Sequence, residues 1–262
     1  MTIHVEQLSH RYGNIEALRD VTVKARPGAI TAIVGPNAAG KSTLMRCMIG
    51  ALHPSAGGVI INGSPAHRQS AANLARQVAY VPQRPLVAAA FTVREVVEMG
   101  RYALPSRPKR IEHAMNELEL TELADRPFAT LSNGQQQRVT VARALAQLND
   151  DGHLILDEPT SAMDLLHVQR TMSLLCDRAE RGVTVLLVLH DLTTAAAIAD
   201  EAWLLDDGRL MASGPVNSVL TPERLTDIFH VRFRWIEQAG GRLLVAEHLS
   251  PGFRGSTTMK PA

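Results

Sequence analysis

The residues with the clearest chemical potential are Gly35-Pro36-Asn37-Ala38-Ala39-Gly40-Lys41-Ser42, a G-x-x-x-x-G-K-S run continued by Thr43. Glycines let the backbone curl until its N–H groups converge on one anion, and the lysine behind them adds a point charge. That combination suits a polyphosphate: Lys41 would reach the terminal phosphates and Ser42 would ligate Mg²⁺. A second group is Asp157-Glu158, two adjacent carboxylates that close the apolar run Leu154-Ile155-Leu156. Like charges at the end of a buried strand need a cationic partner. Mg²⁺ bound at Asp157 would supply it, leaving Glu158 to orient and deprotonate an attacking water.

The elements around these residues must place them together. Ile30 to Val34 reads as a buried strand running into the Gly-rich loop, and a helix is predicted from Lys41 to about Ile49, closed by Gly50. The first residues alternate as a strand on Ile3, Val5 and Gln7, turn at Gly13-Asn14, and resume at Val21 and Val23. Further strands are predicted at Val59 to Asn62 and Val78 to Val81. From Thr92 to Gln147 the apolar spacing turns helical (Val93, Val96, Val97; Ile111, Met115, Leu118; Val139, Ala142, Leu145), interrupted by the Pro-rich stretch Leu104 to Pro108. Strand–helix alternation then returns: a helix from about Asp164 to Glu180, a strand from Val183 to Leu189, a helix from Leu192 to Ala199. Asp207-Gly208 marks a hairpin. Such alternation predicts an α/β fold with a mostly parallel sheet, an antiparallel β part at the start and an inserted helical part at about 84–150. Residues 232–262 are expected to form a small hairpin turning at Gly240-Gly241 and a frayed tail.

Composition narrows the function classes. The chain has 262 residues, 45% hydrophobic and 20% charged, with a formal net charge of +1. Those values describe a globular protein, and the balanced charge gives no general affinity for nucleic acid or anionic lipid. Cys47 and Cys176 fit no metal spacing and no disulfide framework. No signal peptide is expected at the N-terminus, and no apolar run approaches the roughly 20 residues that span a bilayer.

In order, the chain carries the phosphate loop, Gln83, Leu131-Ser132-Asn133-Gly134-Gln135, Asp157-Glu158, Ser161-Ala162-Met163-Asp164 and His190. This series resembles the ATP-binding subunits of ABC transporters, from about residue 3 to residue 231. The resemblance implies a P-loop NTPase core, ATP and Mg²⁺ as ligands, and two copies packed head to tail around two ATPs. It implies that Ser132 and Gly134 of one copy contact the γ-phosphate held by the other copy's phosphate loop, with Asn133 and Gln135 of the same loop also in the nucleotide site. Gln83 resembles the glutamine that touches the Mg²⁺ or water, His190 the histidine that holds the γ-phosphate and Glu158, and Asp164 the acid that acts across the dimer. Tyr12 resembles the aromatic that stacks on adenine. Asn133 departs from the pattern, standing where glycine is usual; asparagine tolerates positive φ better than most residues, so the loop can still form.

A finer resemblance lies in Ala79-Tyr80-Val81-Pro82-Gln83, Thr92-Val93-Arg94-Glu95-Val96-Val97, Gly100-Arg101-Tyr102, His167 after Asp164, and Leu220-Thr221-Pro222-Glu223-Arg224-Leu225. These segments are similar to the metal-chelate importers, which carry ferric siderophores, haem or cobalamin. The implied partners are a membrane-embedded permease dimer, docked between Gln83 and about Tyr102, and through it an extracytoplasmic binding protein. The implied place is the cytoplasmic face of the inner membrane. Cobalamin or another small solute as cargo, and a non-transport ABC ATPase, stay open as alternatives.

Overall fold

The computed structural model describes residues 2–85, 87, 91–149, 152–238 and 241–247. The chain opens with the antiparallel pair β1 (Ile3–Tyr12) and β2 (Ile15–Lys24). Ile3, Val5 and Leu8 of β1 face inward. The alternation predicted through Gln7 breaks there: Gln7 is exposed with φ 45°, and the register shifts between Val5 and Leu8. This is a bulge, which re-aims the strand after it. β3 (Ile30–Val34) follows and leads through the Gly-rich loop into α1 (Lys41–Met48), after which Gly50 takes the left-handed conformation expected of a helix stop.

β4 (Ala56–Ile61) pairs with β1, the short β5 (Ser64–Pro65) closes that sheet, and α2 (Ala71–Ala75) leads to β6 (Val78–Val81). Among the described residues the next stretch is helical: α3 (Val93–Glu98), α4 (Pro108–Glu117) and α5 (Asn133–Gln147). The Pro-rich interruption supplies Pro108 as the first residue of α4, where its missing N–H costs nothing. β7 (His153–Asp157), α6 (Leu165–Glu180), β8 (Thr184–Val188), α7 (Leu192–Ile198) and the hairpin β9 (Glu201–Asp206) and β10 (Arg209–Pro215) restore the alternation. α8 (Val216–Val219) and α9 (Pro222–Phe229) precede β11 (Phe233–Gln238) and β12 (Gly241–Ala246).

The main sheet has the order β10-β9-β3-β8-β7-β6, parallel throughout except at β10. Its central strands are buried on both faces, and successive residues feed two separate cores. Ala32, Leu154, Leu156, Val185 and Leu187 join the α3–α6 side. Ile33, Ile155, Leu186, Val188 and the fully buried Trp203 join the side of the β1–β2–β4 sheet and α1. A period of two on a sheet covered on both faces requires this division. The last hairpin pairs Gln238 with Gly241; the turn expected at Gly240-Gly241 falls in part outside the described residues, as does the tail expected after Leu249. The hairpin packs on α7: Leu244 is buried, and the Thr193 hydroxyl donates to its carbonyl at 2.7 Å.

Candidate nucleotide-binding site

The phosphate loop, Gln83, Asp157-Glu158 and His190 follow β3, β6, β7 and β8, at the carboxyl ends of strands in one sheet. Open parallel sheets bind ligands at that edge. The loop needs its glycines. Gly35 has φ 151° and an added Cβ would lie 2.1 Å from the Leu205 carbonyl oxygen; Gly40 has φ 97° and its Cβ would lie 2.6 Å from that of Ala17. Ala38 is also left-handed, at φ 65°.

Lys41 is buried and donates from Nζ to the carbonyls of Gly35 (2.7 Å) and Pro36 (2.8 Å). Burial pulls its ammonium below the ordinary lysine range, opposed by the charges of Glu158 and Asp157. Asp157 is buried, and burial pushes its carboxyl above the usual range, with a Ser42 hydrogen bond opposing and the charge of Glu158 adding. Asp157 Oδ1 is buried and meets no hydrogen-bond partner among the described residues. A desolvated carboxylate with an orphaned oxygen beside a serine hydroxyl fits a hard cation that takes oxygen ligands and completes its shell with phosphate and water.

Glu158 leaves β7 with φ 48° and is held from both sides. Gln83 Nε2 donates to its Oε2 at 2.8 Å, and His190 Nε2 lies 2.5 Å from its Oε1. These groups open on a cleft of about 810 Å³ lined by Asn37 to Thr43, Gln83, Glu158 and His190. Its far wall is the β1–β2 tip, with Arg11, Asn14, Ile15 and Glu16, and the β9–β10 turn, with Asp207 and Gly208. Motif spacing could not find these wall residues, because hairpin folding alone carries them to the cleft. Tyr12 is not among the residues that line the cleft. It is 43% exposed and stands edge-on to His10, ring centroids 4.7 Å apart. Its cross-strand partner Ile15 does line the cleft, so the ring stands at the rim of the same hairpin tip.

Ser132, Asn133, Gly134, Gln135 and Asp164 line a second concavity of about 530 Å³. It shares no residue with the first among the described ones. Ser132 caps α5 in a reciprocal pair: its hydroxyl accepts from the Gln135 N–H at 3.3 Å, and Gln135 Oε1 accepts from the Ser132 N–H at 3.0 Å. Asn133 is the first helical residue, not a positive-φ position, so its accommodation does not depend on left-handed tolerance. Gly134 does have a steric requirement, since its Cβ would lie 2.6 Å from the Ala162 carbonyl oxygen.

The family profile described as ABC transporter matches residues 18–161. The hemin import ATP-binding protein HmuV of Nocardia farcinica is 45% identical over 218 residues, covering 81% of this chain and 75% of that protein. The iron(3+)-hydroxamate import ATP-binding protein FhuC of Bacillus subtilis is 36% identical, covering 88% of each. Among solved structures, an inward-facing transporter assigned to the metal-chelate ABC type superposes with a TM-score of 0.77 at 29% identity, over 94% of this chain and 98% of that one. A dimeric bacterial ABC transporter cassette superposes with a TM-score of 0.75 at 27% identity, over 82% and 99%. A P-loop NTPase fold with these motifs in this order defines an ATPase of the cassette type. The chain belongs to the ABC transporter family, as an ATP-binding subunit with ATP hydrolysis as its activity, and its relatives include import subunits of the metal-chelate group.

Proposed function

We propose that two copies of this chain, bound to a membrane permease, hydrolyse ATP to drive import of an iron complex, a ferric siderophore or haem. The observation that carries it is the separation of the two concavities: one chain holds a phosphate loop and a signature loop that do not meet. A head-to-tail pair of chains joins each to its counterpart. The names of the relatives, hemin and iron-hydroxamate import subunits, supply the cargo class.

In this reading Lys41 exchanges its two carbonyl partners for the β- and γ-phosphates, and the N–H groups from Asn37 to Thr43 cradle them. Ser42, Asp157 and Gln83 would hold Mg²⁺, which neutralises phosphate charge when bound. Glu158 takes the proton of the attacking water while Gln83 and His190 fix its two oxygens. From the other copy, the Ser132 hydroxyl, the Gly134 N–H and the positive end of α5 face the γ-phosphate, with Asp164 beside them. The base falls to the hairpin tip, at Arg11 and Ile15 with Tyr12 alongside. ATP closes the pair because each γ-phosphate needs both copies; hydrolysis removes those contacts and the pair opens.

Residues 1–231 would form the nucleotide-binding unit, with the helical insert at about 84–150 as the arm that meets the permease. A concavity of about 400 Å³ between the main sheet and that arm, walled by Leu74, Tyr80, Met99 and Tyr102, supports this contact. Among the described residues no helix is long and apolar enough to cross a membrane, so the permease would provide the span. The binding protein that delivers cargo would act through the permease.

The test is uptake by cells of labelled ferric siderophores, haem and cobalamin, wild type against Glu158→Gln at equal protein level. Loss of an iron complex alone supports the reading. Loss of cobalamin alone transfers the cargo, and unchanged uptake of all three rejects import of these chelates.

A further inference from the structure

His167, the third residue of α6, has no part in the chemistry above. Its main-chain N–H donates to Asp164 Oδ1 at 3.0 Å, which completes the helix cap whatever the side chain is. The ring adds a separate link. Its Nδ1 lies 2.8 and 2.9 Å from the two carboxylate oxygens of Asp164, and its Nε2 lies 3.3 Å from Glu119 Oε2. Each ring nitrogen faces a carboxylate. The imidazole is the inner member of the three: its side chain is 19% exposed, against 67% for Asp164 and 50% for Glu119.

Glu119 is itself fixed. It sits just past α4 in the left-handed conformation, φ 52°, and Arg138 of α5 donates to the carbonyls of Leu118 (2.7 Å) and Glu119 (3.4 Å). Arg170 also pairs with the Glu119 carboxylate. Gly134, at the start of α5, already abuts the Ala162 carbonyl. Contacts therefore run from α5 to the loop before α6, from α5 to Glu119, and from Glu119 through the ring to Asp164. Arg170 holds α6 against Glu119 with or without the ring. What the ring adds is a second hold on the Asp164 carboxylate, beside the main-chain N–H, and a link from it to Glu119.

We propose that His167 is a positioning residue: it ties Asp164 to Glu119, so that the signature loop and the loop before α6 present one fixed face to the nucleotide held by the second copy. This rests on the two-copy reading above. Exposed charge pairs contribute little stability. The gain is in orientation, which is felt only when the second copy's nucleotide arrives.

The test uses the full chain in a Glu158→Gln parent, with MgATP. Sedimentation measures ATP-dependent dimerisation, a fluorescent ATP analogue measures binding to the dilute monomer, and thermal unfolding reports the fold. His167→Leu is expected to weaken the dimer about tenfold, with monomer nucleotide affinity and melting temperature kept. Glu119→Gln is expected to weaken it too, and the double variant to be no worse than the more affected single one. His167→Arg, which donates in two directions, is expected to restore most of the loss. Unchanged dimerisation in His167→Leu, losses that simply multiply with Glu119→Gln, or a parallel fall in monomer nucleotide affinity would each overturn the positioning role. A parent that never dimerises with ATP would take down the two-copy reading and this inference together; a parent that dimerises beside an unaffected His167→Leu removes only the inference.

Discussion

Glu158 illustrates how single residues divide the work of the site. Gln83 and His190 occupy its two oxygens, so its orientation is set before any water arrives. Replacing His190 by Ala leaves the Gln83 bond and frees Oε1. Single-turnover hydrolysis is expected to fall by about 10²–10³, with nucleotide affinity changed only a few-fold; a rate within a few-fold of wild type would remove His190 from the reaction. Gly134→Ala places a methyl against the Ala162 carbonyl. Steady-state ATPase is expected to drop at least about tenfold while circular dichroism stays native, because the clash is confined to the shared-site face. The residues that could be read in advance from local chemistry are the glycines, Lys41 and the acid pair; Gln83 and His190 were named only through the resemblance. Arg11 and Ile15 could not be read in advance, since only the hairpin fold carries them to the cleft. Tyr12, placed there by resemblance, pairs across the hairpin with the cleft residue Ile15.

At the scale of elements, the starts of α6 and α7 were legible, while α2 and α9, capped by the Ser70 and Thr221 hydroxyls, were not. Thr92 and Glu95 form a reciprocal capping box on α3, as Ser132 and Gln135 do on α5, and Asp164 and Asp191 cap α6 and α7. Thr92→Ala is expected to cost about 1 kcal/mol, lowering the melting temperature by about 2–4 °C; no shift in a thermal scan would mean that packing of Val93, Val96 and Val97 alone holds the helix. The buried strands announced themselves as apolar runs, since a sheet covered on both faces needs no polar alternation. The bulge at Gln7 did not. It is produced by pairing with β4, where Gly57 comes so close that an added Cβ would lie 2.2 Å from the Gln7 carbonyl oxygen.

For the whole molecule, the separation of the two concavities predicts behaviour that no single chain can show. Chains carrying Lys41→Ala lack a phosphate-loop cation but keep the signature face; chains carrying Ser132→Ala are the reverse. Each alone is expected to be nearly inactive. In an equal mixture half the pairs are mixed, and each mixed pair holds one intact site, so ATPase is expected to recover towards about a quarter of wild type. A mixture no more active than the mean of its parts would contradict shared sites. The sequence announced this arrangement only through resemblance, because no pattern in one chain says which surface meets another copy.

The backbone of Glu158 carries a cost. A glutamate at φ 48° sits in a conformation that an L-residue adopts with strain, next to another carboxylate at the end of a buried strand. Glu158→Gly should relieve both and raise the melting temperature by an amount corresponding to about 1 kcal/mol, even as hydrolysis is lost; a lower melting temperature would show that the Gln83 and His190 contacts outweigh the strain. If it rises, a laboratory selection for heat resistance alone would discard the Glu158 carboxylate early, and the persistence of glutamate there would mark turnover, rather than durability, as the trait under selection.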